Sequence, residues 1–281
     1  MQKTAAAIHD FSGFGKCSLT VILPVLSAAG IACSAAPTAI LSSHTGGLEN
    51  VYFQDFTEGL RGFARQWTEL PLFFDAIYTG YMSSPEQVAA CSELTEALRK
   101  PGTLFVADPA LGDNGTLYRG VSESTASAMA QFCCRADLIL PNLTEAAFLL
   151  GEEPNLSPTR PQVEELLQKL AALGPRRVAI TGVSFSPRKI GAACYDALSR
   201  ETAFAFAPCI EGHYHGTGDL FGAALIGGML RGLQLREAMQ AAVSFVSRCV
   251  WRTKQNGTDP RFGLDFEEEL PYYLHALSII V

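Results

Sequence analysis

The stretch His215-Gly216-Thr217-Gly218-Asp219-Leu220-Phe221-Gly222-Ala223 runs from a glycine-rich turn straight into an apolar helical pattern, with one carboxylate at the junction. The first turn of a helix carries unpaired backbone N–H groups and a partial positive charge. Gly216, Thr217 and Gly218 can therefore hold a phosphate that gains charge during transfer. Asp219 is then placed to take the proton of an attacking alcohol. Taken alone, a Gly-Thr-Gly-Asp turn is also ordinary capping chemistry, so its meaning depends on what surrounds it.

Outward from that stretch, apolar β-rich runs predict strands over 4–9, 32–41, 73–78, 104–107, 137–140, 177–181, 191–195 and 202–207. Between them, helical periodicity predicts helices over 19–29, 85–100, 122–135 and 161–173, and two long, largely buried helices over 218–231 and 235–251. Strands alternating with helices of this length imply an α/β fold whose mostly parallel central sheet is covered on both faces. Ligands of such sheets bind at the carboxyl ends of the strands. The informative residues fall there: His9-Asp10, Gly80-Tyr81, Asp108, Asn142 and Thr181-Gly182.

The chain has 281 residues, 48% of them hydrophobic, enough for one large core. No composition shift or long linker divides it, so residues 1–281 are expected to form a single domain, with Glu152–Pro161 as a surface loop. A net charge of −7 argues against a nucleic-acid or anionic-membrane surface, and any anionic ligand must be held by local devices. Eight cysteines are scattered without metal-binding spacing, which reads as reduced thiols. With neither a leader-like start nor a spanning apolar run, a cytoplasmic protein without membrane contact is expected. The apolar residues 274–281 are expected to complete the core rather than a subunit contact.

Four further segments carry chemistry. Asp10-Phe11-Ser12-Gly13-Phe14-Gly15-Lys16-Cys17-Ser18 is not a phosphate loop, which would need Gly at 10 and Ser or Thr at 17. Locally it reads as a strand-to-helix turn with Asp10 or Ser12 as the expected cap. Ser42-Ser43-His44-Thr45-Gly46 and Tyr78-Thr79-Gly80-Tyr81 each follow or end a strand. In Asp108-Pro109-Ala110-Leu111-Gly112-Asp113-Asn114-Gly115-Thr116-Leu117-Tyr118, two carboxylates near a strand end can hold Mg²⁺ through water and repel one another without it. Downstream come Pro141-Asn142-Leu143-Thr144-Glu145 and Thr181-Gly182.

In this order, over roughly residues 7–231, the motifs resemble those of the pyridoxal/pyridoxamine kinases of the ribokinase-like superfamily. The D-P-x-x-G-D-x-G-x-x-Y segment departs from the family only at Ala110, where valine is usual, and Leu140 stands where Thr is common. The resemblance implies a ribokinase-like three-layer fold, ATP as co-substrate, Mg²⁺ with K⁺ as a candidate additional ion, frequent homodimers, and phosphorylation of the 5′-hydroxymethyl group of a B6 vitamer. It makes Asp219 the catalytic base and Gly216, Thr217 and Gly218 the anion hole. Asp10, Ser12, His44, Thr45 and Tyr81 would border the substrate. Asp108, Asn142, Glu145, Thr181, Gly182 and Thr217 would face the nucleotide, with Asp108, Asp113 and Glu145 serving the metal. Two alternatives stand beside it: a hydroxymethylpyrimidine kinase, which shares Asp10–Gly15 and the Gly-Thr-Gly turn, and a non-catalytic vitamin-binding protein that has kept the fold.

Overall fold

The structure, a computed structural model, describes residues 2–279. Its centre is β1 (Lys3–Ser12), in which Ala5, Ala6, Ala7 and Ile8 are all fully buried, as a strand covered on both faces requires. β1 pairs in parallel with β2 (Ile31–Leu41) on one side and with β4 (Ala76–Thr79) on the other. The parallel ladder continues through β5 (Leu104–Ala107), β8 (Leu138–Ile139) and β9 (Arg177–Ser186). Antiparallel strands close both edges: β3 (Phe53–Asp55) beside β2, then β10 (Lys189–Asp196) and β11 (Glu201–Pro208) beyond β9. The nine-stranded order is β11-β10-β9-β8-β5-β4-β1-β2-β3.

Two apolar cores lie on the two faces. One packs α1 (Leu19–Ala28), α7 (Thr217–Leu230), α8 (Leu235–Asn256) and α9 (Leu270–Ala276) against Ala5, Ala7 and Tyr78. The other packs α2 (Thr57–Glu69), α3 (Pro85–Leu98), α4 (Glu123–Cys133), α5 (Leu143–Leu150) and α6 (Arg160–Ala172) against Ala6, Ile8 and Ile77. Alternate residues of β1 thus serve opposite layers, the period-two rule of a strand. This is the expected three-layer α/β architecture. Among the described residues no helix is long and apolar enough to cross a membrane. Leu277 is buried, and Leu274 and Ile279 pack against the α1/α7/α8 core, in line with the expectation for this segment; residues 280–281 lie outside the described residues.

Several boundaries differ from expectation. β1 runs through Asp10 to Ser12, so both residues lie inside the strand near its carboxyl end and neither caps α1, whose N-cap position is Ser18. β4 begins at Ala76, because Phe73 is exposed and only Phe74 of that aromatic pair is buried. β9 continues to Ser186, which puts Thr181-Gly182 at a bulge: Ala192 pairs with Thr181 and Gly191 with Val183, leaving Gly182 unpaired with φ 73°.

Candidate active site

From β1 the chain crosses through α1 to β2 on one side, while β4 lies on the other, so the carboxyl ends of β1 and β4 part at a topological switch point. Asp10 sits there, buried, with its carboxylate accepting hydrogen bonds from Ser12 Oγ at 2.8 Å and Ser18 Oγ at 2.6 Å. Burial raises its pKa, and the two hydroxyls oppose that rise. Lys16 and Ser18 hold φ 46° and 51°, left-handed values that cost a non-glycine residue energy and need outside support. Support comes from Lys16 Nζ, which reaches Glu267 at 2.9 Å and Asp265 at 3.4 Å, 251 and 249 residues away in sequence. Cys17, between them, is buried, and its thiol is pushed up by burial and then by Asp219 and Asp10.

α7 begins on the same side of the crevice. Its N-cap is Gly216 at φ 79°, and no side chain caps its first turn. A Cβ at Gly216 would overlap the Lys16 carbonyl oxygen, whereas one at Gly218 would meet open space. The α-carbon of Gly218 therefore borders open space at the start of α7. Asp219, in that same first turn, is raised to about 8 by burial, with Asp108 and Asp10 adding to the rise and the Ser18 backbone opposing it. Thr217 is half-buried, its hydroxyl donating to the Tyr214 carbonyl at 3.5 Å.

Across the crevice, Asp108 follows β5 and accepts from Ala110 N at 3.2 Å and from the Tyr78 hydroxyl at 3.4 Å. Burial, then the Glu145 carboxylate, push it well above the usual carboxylate range. Asn142 and Glu145 form a capping box at the start of α5, Glu145 N donating to Asn142 Oδ1 and Asn142 N to Glu145 Oε2, both at 2.9 Å. The other Glu145 oxygen accepts from Leu111 N at 2.9 Å and Gly112 N at 3.5 Å. Those amides lead into a hairpin of β6 (Gly112–Asp113) and β7 (Thr116–Leu117), whose Asn114-Gly115 corner has φ 51° and 82°, as a type I′ turn demands. Asn142 Nδ2 also donates to the Gly112 carbonyl at 2.8 Å, and Gly115 N to Thr144 Oγ1 at 2.9 Å.

Among the described residues no three His, Cys, Asp or Glu side chains gather as direct ligands of one ion. Glu145 spends its oxygens on backbone N–H groups, and Asp113 accepts from Asn114 N and Nδ2. His44 is likewise committed: Gly46 N donates to Nδ1 at 3.0 Å, so Nε2 carries the proton and donates to the Arg261 carbonyl at 2.6 Å. Its ring lies 4.9 Å from that of His215, which burial and then the His44 and His213 rings lower to about 4. Thr45 is exposed and Tyr81 half-buried, both in loops at this end of the sheet. Thr181 bridges to Asn142, its N–H donating to the Pro141 carbonyl at 3.0 Å. Leu140 is buried against α7 and belongs to the core.

Sequence reasoning quoted Ser18 and Tyr78 within their segments but gave neither a role. The polar Cys-Ser pair ahead of an apolar helix was the available signal for Ser18; Tyr78 reads as an ordinary core aromatic. A cavity of about 800 Å³ opens at the amino ends of the strands, far from this crevice; Lys3 pairs there with Asp75 at 2.6 Å and Arg99 with Asp137 at 2.8 Å.

Comparison with known proteins bears on this arrangement. The family profile described as phosphomethylpyrimidine kinase matches residues 23–260. A phosphomethylpyrimidine kinase candidate of Bacteroides thetaiotaomicron, crystallised with pyridoxal, is 36% identical at a TM-score of 0.93 over 100% of this chain and 97% of that one. Pyridoxal kinase from Lactobacillus plantarum is 33% identical at 0.88, over 97% of each chain. A candidate pyridoxal kinase of Schizosaccharomyces pombe is 28% identical over 267 residues, 85% of this chain and 80% of that protein. Profile, identity and overall fold agree that the chain belongs to the phosphomethylpyrimidine kinase family, alongside the pyridoxal kinases of the ribokinase-like superfamily.

Proposed function

We propose that this protein is an ATP-dependent kinase that phosphorylates the 5′-hydroxymethyl group of a B6 vitamer. The observation that carries the reading is the first turn of α7: uncapped amides, open space over Gly218, and a neighbouring carboxylate raised to about 8. Asp219 accepts the hydroxymethyl proton as that oxygen attacks the γ-phosphorus in line. The bond to the β–γ bridging oxygen breaks and ADP leaves with its electron pair. The amides of Gly216, Thr217 and Gly218 face the charge that grows on the phosphoryl oxygens, and positioning supplies most of the catalysis. Asp10 and Ser12, with Thr45, Tyr81 and the ring of His44, border the vitamer. Asn142, Thr181 and Gly182 line the nucleotide side.

The acidic residues fit a divalent cation, because Asp108 and Glu145 repel one another and are both pushed up, first by burial. Mg²⁺ would supply charge neutralisation beside the phosphates and would be held through water by Asp108 and Asp113, with Glu145 pinning the hairpin that carries Asp113. K⁺ and a homodimer belong to the same reading, the dimer being checked by sedimentation.

The test is purified protein with ATP and Mg²⁺ against pyridoxal, pyridoxine, pyridoxamine and hydroxymethylpyrimidine, with products identified by mass, beside Asp219→Asn. A phosphorylated vitamer is expected, with turnover in the variant lower by at least about 10²–10⁴ and ATP binding retained. Product from hydroxymethylpyrimidine alone would replace the substrate. Binding of a vitamer without any product would favour the non-catalytic alternative.

A further inference from the structure

Tyr78 occupies an unusual place for a core aromatic. It lies in β4, fully buried, and its hydroxyl reaches beneath α7 into space that exists only because residue 222 has no side chain: a Cβ at Gly222 would overlap the phenol oxygen. The hydroxyl then donates to Asp108 Oδ2 at 3.4 Å, the one side-chain donor to that carboxylate among the described residues. The ring cannot swing away, because His9 packs edge-on against it with centroids 4.3 Å apart. His9 is itself fully buried with neither ring nitrogen partnered, and burial lowers it to about 3, so it stands as a neutral wedge. A tyrosine needed only for volume would not require a glycine opposite its oxygen, since phenylalanine fills the same core without a buried polar group to satisfy.

We propose that Tyr78 is a positioning residue of the phosphoryl-transfer site, its hydroxyl fixing the Asp108 carboxylate at the mouth of the crevice through the gap left by Gly222. This rests on the reading of Asp108 as the group facing the nucleotide phosphates and their metal. Tyr78 touches neither reacting atom; it acts through Asp108. Burial, then Asp108 and Asp219, hold its hydroxyl protonated, so it remains a donor.

The experiment is calorimetry of ADP binding with and without MgCl₂ for the wild type, Tyr78→Phe, Asp108→Asn and the double variant, with vitamer phosphorylation by the wild type measured in parallel. Tyr78→Phe is expected to lose about tenfold of the affinity that Mg²⁺ adds, with metal-free ADP affinity unchanged. In the Asp108→Asn background the same change is expected to cost nothing further, as two residues acting through one interaction require. An undiminished Mg²⁺ effect in Tyr78→Phe, an equal loss with and without metal, or additive losses in the double variant would each overturn the proposal. Should Tyr78→Phe not fold, Gly222→Ala displaces the hydroxyl instead, and an undiminished Mg²⁺ effect there overturns it equally. A wild type that phosphorylates the vitamer yet binds ADP identically with and without Mg²⁺ sinks this inference and leaves the kinase reading standing. A wild type that neither binds ADP nor yields product sinks both.

Discussion

Asp219 is held where its charged form is disfavoured, by burial first and by Asp108 and Asp10 after it. Two opposite consequences follow. On the proposed reading Asp219 must be ionised to take the proton, so kcat/KM at subsaturating vitamer is expected to rise with pH through about 8, read from a pH–rate profile. Stability of the ligand-free protein runs the other way. A carboxyl whose folded pKa exceeds its unfolded value of 3.8 contributes fully below that value, and the contribution is lost as pH climbs toward about 8. The thermal midpoint of ligand-free protein is therefore expected to fall across that window, and Asp219→Asn, neutral at every pH, to flatten the fall and melt higher than wild type at pH 8. A variant that melts lower there would contradict this account. At Gly216 the demand is steric: Gly216→Ala meets φ 79° and the Lys16 carbonyl, and is expected to cost roughly 1–3 kcal/mol in urea unfolding, with loss of turnover. Among the thiols, the exposed Cys209 is expected to react with a maleimide while buried, raised Cys17 does not.

The capping box at α5 joins two elements. Glu145 satisfies the helix start with one oxygen and pins the β6–β7 hairpin with the other. Glu145→Ala is expected to cost roughly 1–3 kcal/mol in urea unfolding, and to speed hydrogen exchange at Leu111 and Gly112. Unchanged exchange there would mean the hairpin stands without it. The Asn-x-x-Glu spacing was legible in the sequence, but as a nucleotide and metal motif; that it also starts a helix was not. Leu143–Leu150 is short and apolar nearly all round, a pattern that fits a buried strand as well as a helix. α2 escaped notice for a different reason: only Leu60 of its thirteen residues is fully buried, and Gly59 and Gly62 interrupt it. The eight strands anticipated from the sequence are all present, because each is an apolar run flanked by turn residues. Their ends were harder to read, since hydrogen bonds between strands set them: β9 gains five residues beyond Thr181 by pairing with β10. For the site, the carboxylates and glycines stood out by type and order. The supports did not, as the hold of Glu267 on Lys16 spans most of the chain and has no local signature.

At the scale of the whole molecule, the sheet brings segments far apart in sequence to one edge. Asp10 arrives on β1, Asp108 behind β5 and Asp219 on α7, and none of the three can be in place before the parallel ladder has closed around β1. Contacts of such long sequence separation slow folding. One of them has a consequence for how the protein is made. The left-handed Lys16–Ser18 turn, which shapes the pocket around Asp10 and Asp219, is tethered through Lys16 to Asp265 and Glu267. Synthesis delivers the N-terminal residues first, at about 5–20 residues per second. A ribosome thus releases the Lys16–Ser18 turn early and its tether only after some 250 further residues, so the turn beside Asp10 waits for its anchor until translation has passed Glu267.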